Sequence, residues 1–232
     1  MRTAIARLAL GSGAFSVNAY LIETDRGFVL VDTGMRSHRA TLEKRLTEAG
    51  CTPGALSLIL ITHGDADHIG NAAYLRSTFA APIAMNHGDV GMTSKGDIFA
   101  GRQRPGWFAR TILPIFARVR EEDRFEPDVL VDEDSNLADY GLPEARVLLL
   151  RGHSSGSIAL LLADGSLVCG DVLENRSKPR LGSIMDDVSQ AQASVDRLRT
   201  MSVTTVYPGH GTPFETDDVT QAAPDSSEAT RG

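Results

Sequence analysis

Seven histidine and aspartate side chains in this sequence are of the types that hold metal ions in proteins. They are His63, Asp65, Asp67, His68, His153, Asp171 and His210. Imidazole nitrogens and carboxylate oxygens are ligands of zinc, iron and manganese. Two such ions held side by side can activate water and polarise the bond that is split. We therefore expect the chemistry of this chain to be metal-assisted.

These side chains follow short apolar runs that predict buried strands. The runs are 57–61 before His63, 147–150 before His153, 167–169 before Asp171 and 203–206 before His210. Loops at strand ends hold side chains on a rigid support, and the strand ends of one layered fold can converge. A single loop His or Asp is more often a solvated turn residue, but four of the six histidines fall at these junctions. We interpret the other two, His38 and His87, as structural or surface residues.

The remaining segments alternate between strand-like and helix-like patterns. The predicted strands are 28–31, 57–61, 82–85, 147–150, 158–162, 167–169 and 203–206. The predicted helices are 37–49, 71–79 and a later one with Val188, Ala191, Val195 and Leu198 on its buried face. Ser37 is expected to cap the first helix and Gly50 to end it. Strand-helix-strand alternation of this kind indicates an α/β layered fold.

The composition is that of a globular domain, and it limits the classes of partner. The chain has 232 residues, of which 42% are hydrophobic, and a formal net charge of −7. The acidic excess argues against a surface that binds nucleic acid. The sequence contains no run of about 18 apolar residues, so we expect no membrane-spanning helix. Cys51 and Cys169 are expected to be small buried residues. We expect a cytoplasmic enzyme with a small-molecule substrate, while the sequence does not define its oligomeric state.

One domain is expected over residues 1–215, followed by a flexible polar tail over 216–232. Residues 88–127 interrupt the strand-helix alternation and combine Trp107 and Phe108 with several arginines. After the second helix, this segment could fold over the site as a lid and bind an apolar acyl chain or an anionic group. The alternative is that its aromatic residues only pack the segment onto the domain.

The segment from Thr62 to His68, Thr-His-Gly-Asp-Ala-Asp-His, resembles the metal-binding motif of the metallo-β-lactamase superfamily. Four other segments resemble signatures of that family and occur in its order: 32–34, 152–157, 170–171 and 208–211. The resemblance extends from about Val17 to Thr212, and the motifs together are far more specific than any one alone. It implies an αββα sandwich, in which two mixed β-sheets are flanked by helices and the metals lie at one edge.

The same resemblance implies how the ligands divide between two divalent ions, with zinc expected. The first ion would be held by His63, Asp65 and His153, the second by Asp67, His68 and His210, and both by Asp171. Asp67 would also be catalytic, positioning the attacking water and carrying a proton to the leaving group. Asp32 would lie behind the metal loop, where it could orient a ligand or the loop backbone. An ordinary turn residue at the strand end is an equal alternative for Asp32.

Asp65 departs from the family pattern, which usually has a histidine at this place. With three carboxylates in place of two, a site that holds two divalent ions and a hydroxide would have a formal charge of zero instead of +1. Such a site is a weaker Lewis acid, and its oxygen ligand favours harder metals such as iron or manganese. A glutamate stands at the matching position in the flavodiiron branch of the family. The other possibility is that Asp65 does not reach the metal and the first site is weak.

Three functions are compatible with these residues. The first is a hydrolase in which two metal ions activate a hydroxide to attack a small ester, lactone or thioester. The second is an iron enzyme, an oxidoreductase or dioxygenase-type member of the same fold. The third is a binding protein without catalysis. Asp171 argues against a true β-lactamase, and Glu174 stands where the lactonases of this family have a tyrosine, which weakens the lactonase interpretation.

Overall fold

The computed structural model describes residues 4–13, 16–97, 99–100, 102 and 119–217. Its first sheet has six strands, which lie side by side in chain order: β1 (Ile5–Leu10), β2 (Val17–Thr24), β3 (Gly27–Val31), β4 (Leu56–Leu60), β5 (Ile83–Met85) and β6 (Val129–Leu130). The strands β1 to β3 are antiparallel, and β3 to β6 are parallel. This sheet is therefore mixed, as the predicted sandwich requires.

The second sheet is also mixed and is formed by the later part of the chain. Its five strands are β7 (Arg146–Leu149), β8 (Ile158–Leu161), β9 (Ser166–Gly170), β12 (Thr205–Pro208) and β13 (Phe214–Glu215), and a separate hairpin is formed by β10 (Leu173–Glu174) and β11 (Arg180–Leu181). The order across the sheet is β13-β12-β9-β8-β7, with β12 parallel to β9 and the other pairs antiparallel. The predicted meander of three strands is thus confirmed as β7, β8 and β9.

Helices cover the outer faces of both sheets. The α-helices in the described ranges are α1 (Arg39–Glu48), α2 (Ala66–Ile69), α3 (Ala72–Phe79), α4 (Val90–Lys95) and α5 (Val188–Leu198). Short 3-10 turns occur at Arg36–His38, His87–Asp89, Glu121–Asp123 and Ala138–Tyr140. The αββα architecture expected from the sequence is confirmed.

Three apolar clusters correspond to the three contacts between these four layers. Tyr20 and Val29 of the first sheet pack with Leu160 of the second in the central cluster. One outer cluster joins α1 and α3 to the first sheet, and the other joins α5 to the second. Burial of apolar surface in these layers is the main stabilising contribution to the fold. Cys51 and Cys169 are buried in the outer clusters, as predicted.

The start of the first helix differs from the prediction that Ser37 caps it. Residues 36–38 form a 3-10 turn, α1 begins at Arg39, and no side chain caps its first turn. The reason is a tertiary contact, because the amide of Asn71 donates to the carbonyl of Met35 and fixes the entry of the chain. Gly50 does end the helix, and its φ of +81° is the left-handed conformation typical of that position.

The buried face predicted for the last helix is wrong at Val188, which is 56% exposed. Val188 is the first residue of α5, where the side chain of the capping Asp187 accepts a hydrogen bond from the backbone of Gln190. At this end of the helix, the Val188 side chain is not packed against the sheet. Ser194 is buried on the helix face instead, and its hydroxyl donates to the carbonyl of Arg151.

Part of the predicted lid and most of the predicted tail fall outside the described residues. Residues 98, 101 and 103–118 of the segment 88–127 are not described, and neither are residues 218–232 of the tail. The described part of 88–127 includes α4 and the buried side chains of Val119 and Phe125, which belong to the outer cluster of the first sheet. At the other end, the Thr216 amide donates to the Thr204 carbonyl, which ties this residue to the second sheet.

No helix within the described ranges is long and apolar enough to cross a membrane.

Asn18 connects the two sheets near the end of β12. Its side-chain amide donates to the carbonyls of Pro208 and Gly211 at 2.8 and 2.9 Å, and its side-chain oxygen accepts from Arg7 at 2.9 Å. The hydroxyl of Tyr20 also donates to the Pro208 carbonyl, at 2.7 Å. The strand β2, which the sequence pattern did not reveal, therefore holds the loop after β12.

We expect Asn18→Ala to lower the free energy of unfolding by roughly 1–3 kcal/mol, because the Gly211 carbonyl and Nε of Arg7, both partly buried, lose these hydrogen bonds. Urea denaturation followed by circular dichroism measures this difference. Tyr20→Phe is the matched control. Tyr20→Phe should lower the free energy of unfolding by less, since Asn18 still donates to the Pro208 carbonyl. An Asn18→Ala protein as stable as the Tyr20→Phe protein would contradict this role.

Candidate metal centre

The seven candidate ligands lie in loops that follow four strands and meet in one place. His63, Asp65, Asp67 and His68 follow β4, His153 follows β7, Asp171 follows β9 and His210 follows β12. Among the described residues, their side chains form three overlapping groups, and within each group the ligand atoms are no more than 4.8 Å apart. The convergence expected from the strand ends is therefore present.

The first group consists of His63, Asp65 and His153. The Oδ2 atom of Asp65 lies 3.0 Å from Nε2 of His153 and 3.6 Å from Nε2 of His63. A tetrahedral zinc ion with bonds of about 2.1 Å separates its ligand atoms by roughly 3.4 Å. The spacing of this group suits one such ion, and Asp65 directs an oxygen towards it.

The second group consists of Asp67, His68 and His210. The Oδ2 atom of Asp67 lies 3.4 Å from Nε2 of His210 and 3.9 Å from Nε2 of His68. Asp67 and His68 belong to α2, which begins immediately after Asp65, and His68 also lies beside His63 of the first group, with ring centroids 4.1 Å apart.

Asp171 borders both groups. Its Oδ1 atom lies 3.4 Å from Nε2 of His68 and its Oδ2 atom 3.1 Å from Nε2 of His210. Asp171 also forms the third group of ligand atoms, with His63 and His68. The Asp171 carboxylate is thus close to histidines of both groups and could contribute to either one.

All four histidines present Nε2 to the cluster because an oxygen atom holds Nδ1 on the other side of each ring. The four oxygens are those of Thr62 Oγ1 for His63, Asp32 Oδ2 for His68, the Ile184 carbonyl for His153 and the Ser16 carbonyl for His210. Carbonyl and carboxylate oxygens only accept, so the Nδ1 atoms of the last three must carry the proton. The Thr62 hydroxyl donates to Asp32 and therefore accepts from His63.

This arrangement fits metal ions better than a network of hydrogen bonds alone. The Nε2 atoms of His63 and His68 and the Oδ1 atom of Asp171 are buried and have no hydrogen-bond partner among the described residues. A buried polar atom without a partner is costly. Divalent ions at the two groups would satisfy these atoms, so the residues present fit such ions.

Asp32 joins the end of β3 to both histidines of the metal loop. Its Oδ1 accepts from the Thr62 amide and its Oδ2 from the Thr62 hydroxyl and from Nδ1 of His68, all at 2.8 Å. The backbone φ of Asp32 is +60°, which is uncommon for residues other than glycine. Asp32 thus contacts both the loop backbone and the imidazole of His68, which are the two groups that an orienting residue would hold.

Asp89 has a comparable position at the other side of the metal loop, and the sequence analysis missed it. Its buried carboxylate accepts from the Gly64 and Gly156 amides at 2.9 and 2.8 Å and from the Ser154 hydroxyl at 2.6 Å. It therefore ties the loop of His63 to the loop of His153. No motif surrounds Asp89, so only its contacts reveal this role.

Arg102 was also missed as an individual residue, although it belongs to the arginines noted in the segment 88–127. Its Nη2 atom lies 2.6 Å from Oδ1 of Asp65, and its Nε atom lies 3.6 Å from Oδ2 of Asp186.

Glu174 is buried and accepts hydrogen bonds from Ser183 and Arg180, so its carboxylate is occupied away from the cluster.

Opposite charges shift the ionisation of these groups. Burial opposes the charge of Asp65, but the hydrogen bond from His153, the neighbouring imidazole of His63 and the charge of Arg102 hold its pKa well below the usual range. Burial likewise opposes the protonated form of His210, yet Asp171 and Asp67 raise its pKa to about 10. Without a metal ion, the raised pKa of His210 therefore favours its protonated form at neutral pH.

We expect Asp32→Asn to weaken metal binding at the second group by roughly 10- to 100-fold. An amide cannot accept from both the Thr62 amide and Nδ1 of His68, so it disturbs either the loop or the tautomer of the imidazole. Competition with a chromophoric chelator measures the affinity. The exposed Asp139→Asn removes the same charge and is the control. Equal affinities of the two variants would contradict the role of Asp32.

Metal binding should release protons near pH 7, because an ion must displace the proton that the raised pKa of His210 retains. Affinity should therefore increase as the pH rises towards 10 and decrease as it falls. Isothermal titration calorimetry in two buffers of different ionisation enthalpy measures the number of protons released. An identical enthalpy in both buffers would show that no proton leaves.

Comparisons with known proteins agree with this geometry. The family profile of the metallo-beta-lactamase superfamily matches residues 12–210. The probable metallo-hydrolase YqgX of Bacillus subtilis is 28% identical over 214 residues, which cover 90% of each chain. A metallo-beta-lactamase family protein of Thermus thermophilus, TTHA1429, is 25% identical with a TM-score of 0.71 and covers 94% of this chain and 76% of its own.

A second solved structure bears on the metal. The protein TTHA1623, whose structure was determined in a di-iron-bound form, is 26% identical with a TM-score of 0.69, over 93% of this chain and 98% of its own. The motifs, the two-sheet architecture and the match over most of the sequence all agree. The chain belongs to the metallo-beta-lactamase superfamily, a superfamily of metallo-hydrolases.

Proposed function

We propose that the protein is a hydrolase that uses two metal ions to split a small ester, lactone or thioester. His63, Asp65 and His153 would hold the first ion, Asp67, His68 and His210 the second, and Asp171 both. When bound, two divalent ions supply an activated water near neutral pH and polarise the carbonyl that is attacked. Zinc, a small-molecule substrate and a cytoplasmic location are parts of the same proposal.

The observation that carries this proposal is the common orientation of the four imidazoles. Four oxygens hold the Nδ1 atoms, so four Nε2 atoms face three carboxylates in one buried cluster. A site built for structure alone would not leave Nε2 of His63 and of His68 without hydrogen bonds.

Asp67 is the candidate for proton transfer because it is the most exposed of the seven side chains. It is 34% exposed, whereas His63, His68 and His153 are each 2% exposed or less. Substrate must therefore reach the cluster from the side of Asp67. A carboxylate there can accept a proton from the attacking water and deliver it to the leaving group.

Treatment with a chelator should abolish the activity of the protein on a panel of esters, lactones and thioesters. Addition of zinc, manganese or iron(II) should restore that activity. Asp67→Asn should lower kcat by roughly 10²- to 10⁴-fold, because it removes the group that transfers the proton. Asp139→Asn, at an exposed position, should retain full activity. Metal content is measured on the same samples, so that loss of an ion is separated from loss of proton transfer.

Elemental analysis decides between this function and its alternatives. Near two zinc or manganese ions per chain supports the hydrolase. Two irons with redox activity would favour an iron oxidoreductase, which the oxygen ligand Asp65 and the di-iron form of TTHA1623 make the second candidate. A metal-free protein without turnover on any substrate of the panel would contradict the hydrolase and favour a binding protein.

A further inference from the structure

Arg102 and Asp65 form a partly buried ion pair at the edge of the first ligand group. The distance from Nη2 to Oδ1 is 2.6 Å, and the side chains are 11% and 18% exposed. Asp186 lies on the other side of the guanidinium, 3.6 Å from Nε, without a hydrogen bond to it. Arg102 thus reaches the cluster from a different part of the chain than any of the candidate ligands.

The two oxygens of Asp65 have different partners. Oδ1 accepts from Arg102, while Oδ2 lies 3.0 Å from Nε2 of His153 and 3.6 Å from Nε2 of His63. A carboxylate held in this way can offer only one oxygen to an ion between the histidines. The guanidinium therefore fixes both the rotamer of Asp65 and the number of oxygens that it presents.

The pair also changes the charge of the cluster. Asp65, Asp67 and Asp171 bring three negative charges to the seven candidate ligands. The Arg102 guanidinium is the cation in hydrogen-bond contact with one of them, and it always carries its charge. Together, Asp65 and Arg102 contribute no net charge, as a neutral imidazole ligand would.

We propose that Arg102 is a positioning residue for the first metal ion, and that Asp65 and Arg102 act as one neutral ligand unit. This inference rests on the proposed two-ion site. It implies that the residues at positions 65 and 102 depend on one another. A neutral ligand at position 65 would leave the guanidinium without its hydrogen-bonded anion, with only the more distant carboxylate of Asp186 to offset its repulsion by a divalent cation.

A double-mutant cycle on zinc affinity tests this dependence without measuring turnover. The four proteins are the wild type, Asp65→His, Arg102→Met and the double variant, each titrated in competition with a chromophoric chelator. Circular dichroism and thermal unfolding of the metal-free proteins establish that each is folded. The double variant Asp65→His/Arg102→Lys is the matched control, since it retains the positive charge without the planar guanidinium.

Asp65→His alone should lower the affinity of the first position at least tenfold, and adding Arg102→Met should restore it to within about threefold of the wild type. Adding Arg102→Lys instead should not restore it. The effect of Arg102→Met should thus differ at least threefold between the two backgrounds, which is the signature of direct coupling.

Equal effects of Arg102→Met in both backgrounds, with two ions bound to the wild type, would overturn the role of Arg102 and leave the proposed function intact. A wild type that binds one ion, with Arg102→Met binding two, would also overturn it, because the guanidinium would then occupy the place of the first ion. A wild type that binds less than one ion would contradict the two-ion function itself.

Discussion

The site depends on one constraint, which is that each ligand imidazole needs an oxygen behind it. A histidine ring can turn about its side-chain bonds, and only a hydrogen bond to Nδ1 fixes which nitrogen faces the cluster. Here those oxygens come from a carboxylate, a hydroxyl and two backbone carbonyls, on four separate segments of the chain. The sandwich brings these segments together, so that the packing of both sheets determines the orientation of the rings.

The second requirement is electrostatic. The cluster concentrates carboxylates where water is largely excluded, and such groups are stable only with cations close by. Protonated histidines and Arg102 provide positive charge in the metal-free protein, as the raised pKa of His210 and the lowered pKa of Asp65 show. Metal ions and protons therefore compete for the same nitrogens, whereas the positive charge of Arg102 is present in either case.

Much of the fold and of the site could be predicted from the sequence, because the ligands stand at the ends of apolar strands. The strands from β3 to β5, the meander and the αββα layers follow from local patterns and from the family motif. The contacts of Asp89 and Arg102 could not be predicted, since each depends on residues far away in the chain. The cap at Ser37 and the burial of Val188 failed for the same reason, because tertiary packing overrode the local signal.

The bond from His210 to the Ser16 carbonyl joins residues that are 194 positions apart. During synthesis, nearly the whole chain must therefore be made before the Ser16 carbonyl can orient the imidazole of His210. Contacts of such long sequence separation form late and slow down folding. A nascent or truncated chain can hold the motif after β4 and still lack a complete site. The order of the chain thus delays the completion of the ligand cluster until the strands of both sheets have packed together.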